Sequence, residues 1–278
     1  MTARGPVELA TGAVVLSGAH ADLFLHVDRA FAALAAEVGA DNVVPAGLVA
    51  DKLLERIDYF RNFPHLGLGT YRFAPDALDG LAQGDRPGGP PIKPTGDFLP
   101  SATCYSVFGA LDGQELDAPR TYSAVGRCYR NEAAYDGLSR LHSFTMREIV
   151  YVGDAPGADA FRARFQERVL ALASRWGVPL QRQAASDPFF LKDSRALLTA
   201  LDPVKWELVD DAGVAVASLN KHRNFFGERL GITVAGDHAV TSCTAFGLER
   251  WVGALTRVHG TPSDALHHLT TARTEEAV

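Results

Sequence analysis

Two strand-like runs separated by a short polar loop, between Thr121 and Gly153, constrain the fold of this chain more than any other feature. The first run, Gly126-Arg127-Cys128-Tyr129-Arg130-Asn131-Glu132, places Arg-x-Glu at its end. The second follows Gly137-Leu138-Ser139-Arg140 and places Phe144 four residues after Arg140, ahead of Thr145-Met146-Arg147-Glu148. The pattern predicts a β-hairpin. Its side chains suit a phosphorylated aromatic ligand, because the Arg130 guanidinium can fork onto a phosphate and the Phe144 ring offers a flat face to a base.

A second segment points the same way. Thr241-Ser242-Cys243-Thr244-Ala245-Phe246-Gly247 reads as a strand of mostly small residues, and Leu248-Glu249-Arg250 leads it into a helix. Gly247 lets a ligand approach the backbone closely. Arg250 falls in the first helical turn, where free N–H groups and the helix dipole favour an anion. Gly-Leu-Glu-Arg alone is a common string. Following the first segment in this order, it predicts an ATP-binding cleft.

The rest of the chain bounds the class. Its 278 residues, 47% hydrophobic and 22% charged, fit an ordinary globular protein with material for a substantial core. The net charge of −6 and the lack of a long basic run argue against a nucleic-acid backbone as the main partner. No signal-peptide pattern opens the chain, and no apolar run is long enough to span a membrane, so a cytoplasmic setting is expected. Three cysteines, Cys104, Cys128 and Cys243, do not make a disulfide framework. Metal binding and core packing both stay open for them.

Apolar periodicity predicts an amphipathic helix over 20–39, through Leu23, Val27, Phe31, Leu34 and Val38, and a second helical pattern through Leu48, Leu53, Leu54, Ile57 and Phe60. Gly84 to Gly96 is rich in Gly and Pro and reads as a mobile loop. A helix is expected over 157–176, a connector from Asp187 to Val204, and a hairpin pairing Lys205–Val209 with Val214–Leu219 about a turn at Asp210–Gly213. Strand material over 231–243, a closing helix over 248–258 and a frayed tail over 271–278 complete the chain. Helices first and strands later predict an α+β fold around a mostly antiparallel sheet.

The two segments resemble motifs 2 and 3 of the class II aminoacyl-tRNA synthetases. More narrowly, the chain resembles the small amino acid:[carrier protein] ligases, homologues of the catalytic domain of the atypical, methanogen-type seryl-tRNA synthetases. That resemblance runs through Leu54–Leu66, Pro100-Ser101-Ala102-Thr103-Cys104-Tyr105, the hairpin, Ser186–Phe190, and Ala217–Gly227 to the final motif. It implies a class II synthetase-like antiparallel sheet flanked by helices. It further implies one catalytic domain over 1–278 without a tRNA-binding domain, and a homodimer. The implied activity is ATP- and Mg²⁺-dependent adenylation of a small amino acid, glycine or alanine, followed by transfer to the phosphopantetheine thiol of a carrier protein.

The resemblance also implies residue roles. Arg130, Glu132 and Arg250 would be catalytic, and Arg130, Glu132, Arg140, Phe144, Glu207 and Arg250 would hold ATP. Glu132, Ser218 and Asn220 would contact the amino acid. Cys104, Glu148 and Cys243 would bind one Zn²⁺ per subunit, a donor set suited to that metal. Cys128 is expected in the core, and His142, His222 and His238 as structural histidines. Val214-Ala215-Val216-Ala217 stands where a second acidic Mg²⁺ ligand would be expected. The connector after Phe190, a region in which the family docks its carrier protein, is short. Two other readings are a tRNA-aminoacylating seryl-tRNA synthetase-like enzyme and a non-catalytic synthetase paralogue kept as a binding subunit.

Overall fold

The computed structural model describes residues 5–84, 92–185 and 204–271. Its elements begin with a small hairpin, β1 (Val7–Ala10) and β2 (Ala13–Val15), then α1 (Ala19–Ala36) and β3 (Asp41–Val43). Next come β4 (Val49–Ala50), α2 (Asp51–Arg56), α3 (Tyr59–Asn62), β5 (Gly69–Phe73), α4 (Leu78–Ala82), β6 (Ile92–Phe98), α5 (Cys104–Ala110) and β7 (Glu115–Leu116). The long pair β8 (Arg120–Tyr129) and β9 (Ser143–Gly153) precedes α6 (Ala155–Arg175), β10 (Leu180–Ala184), β11 (Lys205–Asp210) and β12 (Ala215–Arg223). Then follow α7 (Phe225–Leu230), β13 (Thr233–Val234), β14 (Asp237–His238), β15 (Val240–Gly247), α8 (Leu248–His259) and α9 (Pro262–Thr271).

The main sheet has nine strands among the described residues. Its centre runs β8-β9-β15-β12-β11-β10, every neighbour antiparallel. The strand β3 adds in parallel outside β8, so the expected mostly antiparallel sheet is what forms. Alternation along each strand sends side chains to two cores. On one face Leu23, Val27 and Phe31 of α1 pack with Phe165 and Val169 of α6 and Trp251 of α8. Phe31 stacks on Phe246 of β15 with ring centroids 4.0 Å apart. A fully buried ring of this size contributes about 1.5–3 kcal/mol. On the other face Leu54, Tyr105, Phe108 and Phe226 cover Val150 and Cys243.

Helix α6 starts where Asp154 accepts a hydrogen bond from the Gly157 N–H at 2.7 Å, with Pro156 in the first turn, a favourable N-terminal combination. The β11–β12 turn is held by Asp210, whose Oδ1 accepts from Ala212 N and Val214 N while Gly213 takes φ 77°.

Four expectations are corrected. The second helical pattern divides at Asp58, a left-handed residue at φ 51°, into α2 and α3. Ile92 to Gly96 is not loop but the start of β6, which pairs with β5 through Phe73↔Ile92 and Tyr71↔Pro94. Pro94 is tolerated there because β4 reaches β6 only at Asp97 and Phe98, so the ladder on that side needs no donor from it. Residues 231–243 are interrupted by Ala235 and Gly236 at positive φ, giving two short strands before β15. A further helix, α9, follows the expected closing helix and packs Ala265 and Leu269 into the core. Residues 85–91 of the Gly/Pro stretch, 187–203 of the connector and 272–278 of the tail lie outside the described residues.

Candidate active site

Strand register assembles the site. Glu148 of β9, Ala245 of β15, Ser218 of β12 and Glu207 of β11 fall in one row across the sheet. The next row is Val150, Cys243, Asn220 and Lys205. In the other direction lie Met146 and Gly247, paired across β9 and β15. Each row shares one face because paired residues point the same way.

Above this face opens a cleft of about 620 Å³, lined by Arg130, Glu132, Phe144, Glu207, Ser218 and Arg250, with Met146 and Ala245 in its floor. Arg130 donates through Nε and Nη2 to the Ser101 carbonyl, both at 3.2 Å, and its guanidinium lies 5.1 Å from the Phe144 ring centroid. Arg250 donates from Nε to the Ser139 carbonyl at 2.7 Å and from Nη1 to the Ala215 carbonyl at 2.8 Å. Burial, followed by the nearby Arg130, makes the Arg250 cation harder to sustain. Two guanidiniums on one concave surface attract phosphate oxygens, and the phenyl face beside Arg130 suits a planar base.

The hairpin rim places Arg140 outside the cleft wall, half exposed, 3.2 Å from Glu132 Oε2. Glu207 is held by Lys205, with Nζ to Oε1 at 2.9 Å. Lys205 and Glu249 also line the cleft, and the sequence reading missed both. Glu207 and Lys205 alternate on one strand face, a signal that period-two reading could have found. Glu249 is 3% exposed and tied to Thr145 and Arg127. Next to an arginine in a helix start, it reads in sequence as a solvated charge.

On the same face of the sheet, beside the cleft, Glu148 and Cys243 meet Cys104 of α5, all three buried. Glu148 Oε2 accepts from the backbone N–H of Cys104 at 2.6 Å, and Cys243 Sγ lies 3.6 Å from Glu148 Oε1 and 3.6 Å from His222 Nε2. Burial pushes Glu148 up to about 8. The interaction between the two thiols, with burial, raises Cys104, and the same interaction lowers Cys243. Asn220 Nδ2 donates to Ser218 Oγ at 3.1 Å and to Cys243 Sγ at 3.3 Å, while its Oδ1 is buried with no hydrogen-bond partner.

Two thiols, a carboxylate and an orphaned amide oxygen form a donor set whose chemistry fits Zn²⁺. Among the described residues, however, no three His, Cys, Asp or Glu side chains are arranged to hold a metal ion in common. Glu148 instead faces the Cys104 N–H.

Cys128 is fully buried with Met146 and Ala245 beside it, a core thiol as expected, pushed up to about 12 by burial. His142 bonds the Tyr135 hydroxyl at 2.9 Å, His222 bonds Thr241 Oγ1 at 3.0 Å, and His238 is exposed on β14. The contact of His222 with Cys243 places it beside the buried cluster, which the sequence did not indicate.

Solved structures share this fold. The M. kandleri SerRS, solved in complex with A. aeolicus tRNASec, superposes with TM-score 0.80 at 20% identity, covering 95% of this chain and 57% of that one. The seryl-tRNA synthetase from Pyrococcus horikoshii, complexed with ATP, gives TM-score 0.68 at 15% identity, over 94% of this chain and 58% of that one. The fold is therefore that of the class II aminoacyl-tRNA synthetases.

Sequence relatives narrow the class. Amino acid--[acyl-carrier-protein] ligase 1 of Bradyrhizobium diazoefficiens is 33% identical over 229 residues, 76% of this chain and 69% of that protein. Ligase 2 of the same organism is 31% identical over 222 residues, 74% of this chain and 66% of its own length. The type-2 serine--tRNA ligase of Methanococcus maripaludis is 29% identical over 177 residues, but only 34% of its length is covered. No protein-family model matches. The chain belongs to the amino acid--[acyl-carrier-protein] ligase family, and so to the ligases. No described helix is long and apolar enough to cross a membrane.

Proposed function

We propose that this chain activates a small amino acid, glycine or alanine, with ATP and Mg²⁺, and passes it to the phosphopantetheine thiol of a carrier protein. The observation that carries the reading is the adjacency of two sites: a cleft walled by Arg130, Phe144 and Arg250 opens beside the buried Cys104–Glu148–Cys243 cluster, with Glu148 paired across the sheet to Ala245 of the cleft floor. The kinship with the carrier-protein ligases of Bradyrhizobium diazoefficiens supports the acceptor.

In this reading ATP lies in the cleft, with adenine on Phe144 and its amino group near Glu132. Arg130 bridges the α-phosphate and the substrate carboxylate, while Arg140 and Arg250 take the phosphate tail. Glu207 would hold the Mg²⁺ that accompanies ATP, and Ser218 and Asn220 contact the amino acid. A carboxylate oxygen attacks the α-phosphorus, the bond to the β-phosphate oxygen breaks, and pyrophosphate leaves. Fixed guanidiniums offset charge as it develops and hold the two anions in line. A carrier thiol then adds to the adenylate carbonyl, losing its proton, and AMP leaves with the bonding electrons, giving the thioester. Cys104, Glu148 and Cys243 would hold Zn²⁺, which supplies a Lewis-acidic seat for the substrate amine.

We place the protein in the cytoplasm as a homodimer built on the class II synthetase-like catalytic domain. The outer edge of β3, which has no partner among the described residues, and the exposure of Val44 support the dimer. Amino-acid-dependent ATP–pyrophosphate exchange, run with and without a zinc chelator, tests the activation step. Parallel offers of holo-carrier protein and of tRNA test the acceptor. Exchange without thioester formation, and with aminoacylated tRNA, would instead establish the tRNA-ligase reading.

A further inference from the structure

Glu249 is the most confined carboxylate at the cleft that the proposed chemistry leaves without a task. It is the second residue of α8, next to Arg250, and is 3% exposed. Its Oε2 accepts from the Thr145 N–H at 2.8 Å, and its Oε1 accepts from Thr145 Oγ1 at 3.1 Å and from Arg127 Nη1 at 3.1 Å. Thr145 stands between Phe144 and Met146, both of which line the cleft. A single carboxylate thus clamps the backbone that carries the ring wall to the helical turn that carries the phosphate-facing arginine.

The clamp is local and specific. Near Phe144, β9 is paired with β8 through Cys128↔Phe144 and with β15 only as far as Gly247↔Met146. Beyond that register nothing in the β15 ladder fixes Phe144 relative to α8, and the Glu249–Thr145 bonds span that gap. Burial raises the Glu249 carboxyl above its usual range, while the Thr145 N–H, the helix N-terminus and the Arg127 guanidinium pull towards the charged form. Three donors aimed at one carboxylate make a charge-assisted set, stronger than neutral hydrogen bonds.

We propose that Glu249 is a positioning residue which, through Thr145, sets the separation between the Phe144 wall and Arg250, and so makes the cleft bind base and phosphates at once. The proposal rests on the reading of the cleft as an ATP site. Glu249 itself touches no reacting atom.

The test is titration of ATP·Mg²⁺ and, separately, of adenosine against the full chain and its Glu249→Gln and Thr145→Val variants, alongside thermal melts. Thr145→Val severs the hydroxyl part of the same link from the other side while keeping side-chain shape, so it serves if Glu249→Gln does not fold. The expected result is ATP binding weakened about tenfold or more in Glu249→Gln and several-fold in Thr145→Val, with adenosine affinity within twofold of the unsubstituted protein. Equal weakening of both ligands, or a lowered melting temperature with ATP affinity unchanged, would reduce Glu249 to a structural acid and overturn the proposal. Failure of the unsubstituted chain to bind ATP would sink the nucleotide reading together with this one. Loss confined to the variants' folding, or ATP binding unchanged in them, would sink this one alone.

Discussion

Glu148 reaches across from β9 to accept the backbone N–H of Cys104 at 2.6 Å, so the first residue of α5 is pinned to the centre of the sheet. This contact brings Cys104 towards Cys243, which the β9–β15 register sets opposite Val150. The cluster therefore depends on one carboxylate, and the proposed zinc would need that carboxylate to turn from the N–H to the metal.

The first prediction follows from that arrangement. The protein as purified carries about one zinc per chain, and Cys104→Ser, Cys243→Ser and Glu148→Gln each lose it, measured by atomic emission. Because second partners such as Asn220 orient the set, Asn220→Ala retains metal with affinity about 10–100-fold lower. Amino-acid-dependent pyrophosphate exchange falls with the metal in each case and returns when zinc is restored to a chelated wild-type sample. Full exchange by zinc-free protein would remove the metal from the mechanism.

Arg250 gives the second. Its guanidinium already has two carbonyl partners, at Ser139 and Ala215, so the side chain is held with its fork directed before any ligand arrives. Arg250→Ala should lower the exchange rate by about 10²–10³-fold, the range for loss of one fixed charge-stabilising donor. Arg250→Lys should recover little, because a point charge cannot reproduce the fork. Steady-state exchange with saturating amino acid checks both, and activity in the lysine variant within threefold of wild type would contradict the geometry.

How far the sequence carried this picture depends on range. The β8–β9 hairpin, α1, α6 and the β11–β12 turn were legible because periodicity and turn residues act over a few positions, as with Leu23, Val27 and Phe31 along α1 or Asp210 and Gly213 in the turn. The grouping of Arg130, Phe144 and Arg250 followed from motif order. The Glu249–Thr145 link was not legible, because it depends on side-chain direction and on strand register, whereas the Lys205–Glu207 ion pair lay within reach of a period-two reading. The β6 strand was hidden by Pro94 and Gly96, whose usual meaning as breakers is overridden by an open ladder position.

The third prediction concerns stability. Arg147 lies on the face of β9 opposite Glu148, 7% exposed at its side chain, and forks onto Asp28 of α1 at 2.6 and 3.0 Å while also donating to Ser123 Oγ at 2.8 Å. Asp28→Ala leaves a buried guanidinium with one neutral partner, and breaking a buried pair this way costs about 3–5 kcal/mol. Urea unfolding should show the midpoint shift with an unchanged slope. A loss under about 1 kcal/mol would mean that water replaces the carboxylate at this site.

Cys128 supplies a pH dependence. Burial pushes its thiol up to about 12 from an ordinary value of 9.0. The raised value means that the unfolded chain releases this proton first, so the stability it contributes is complete below about pH 9 and is lost as pH rises towards 12, by up to about 1.4 kcal/mol per pH unit. Cys128→Ala should flatten that alkaline limb in urea titrations. Because only a thiolate is nucleophilic, Cys128 in the folded protein should also resist iodoacetamide at pH 8, a result peptide mapping reads directly. Rapid labelling there would place Cys128 outside the core.

The last prediction concerns assembly. Val44 follows β3 and is 96% exposed, and Leu48 just beyond it is 47% exposed, although neighbouring Pro45 packs so tightly on Gly126 that a Cβ there would come within 2.7 Å of its ring. Pro45 thus fixes the course of the chain while the apolar side chains on either side of it stay uncovered, next to a strand whose outer edge has no partner among the described residues. Bare edges and apolar side chains of this kind are what an interface covers. Sedimentation of the intact protein should give twice the chain mass, and Val44→Glu with Leu48→Glu should shift it to the monomer while leaving the far-ultraviolet spectrum intact. A monomer in the unsubstituted protein at micromolar concentration would exclude this face as a stable dimer contact.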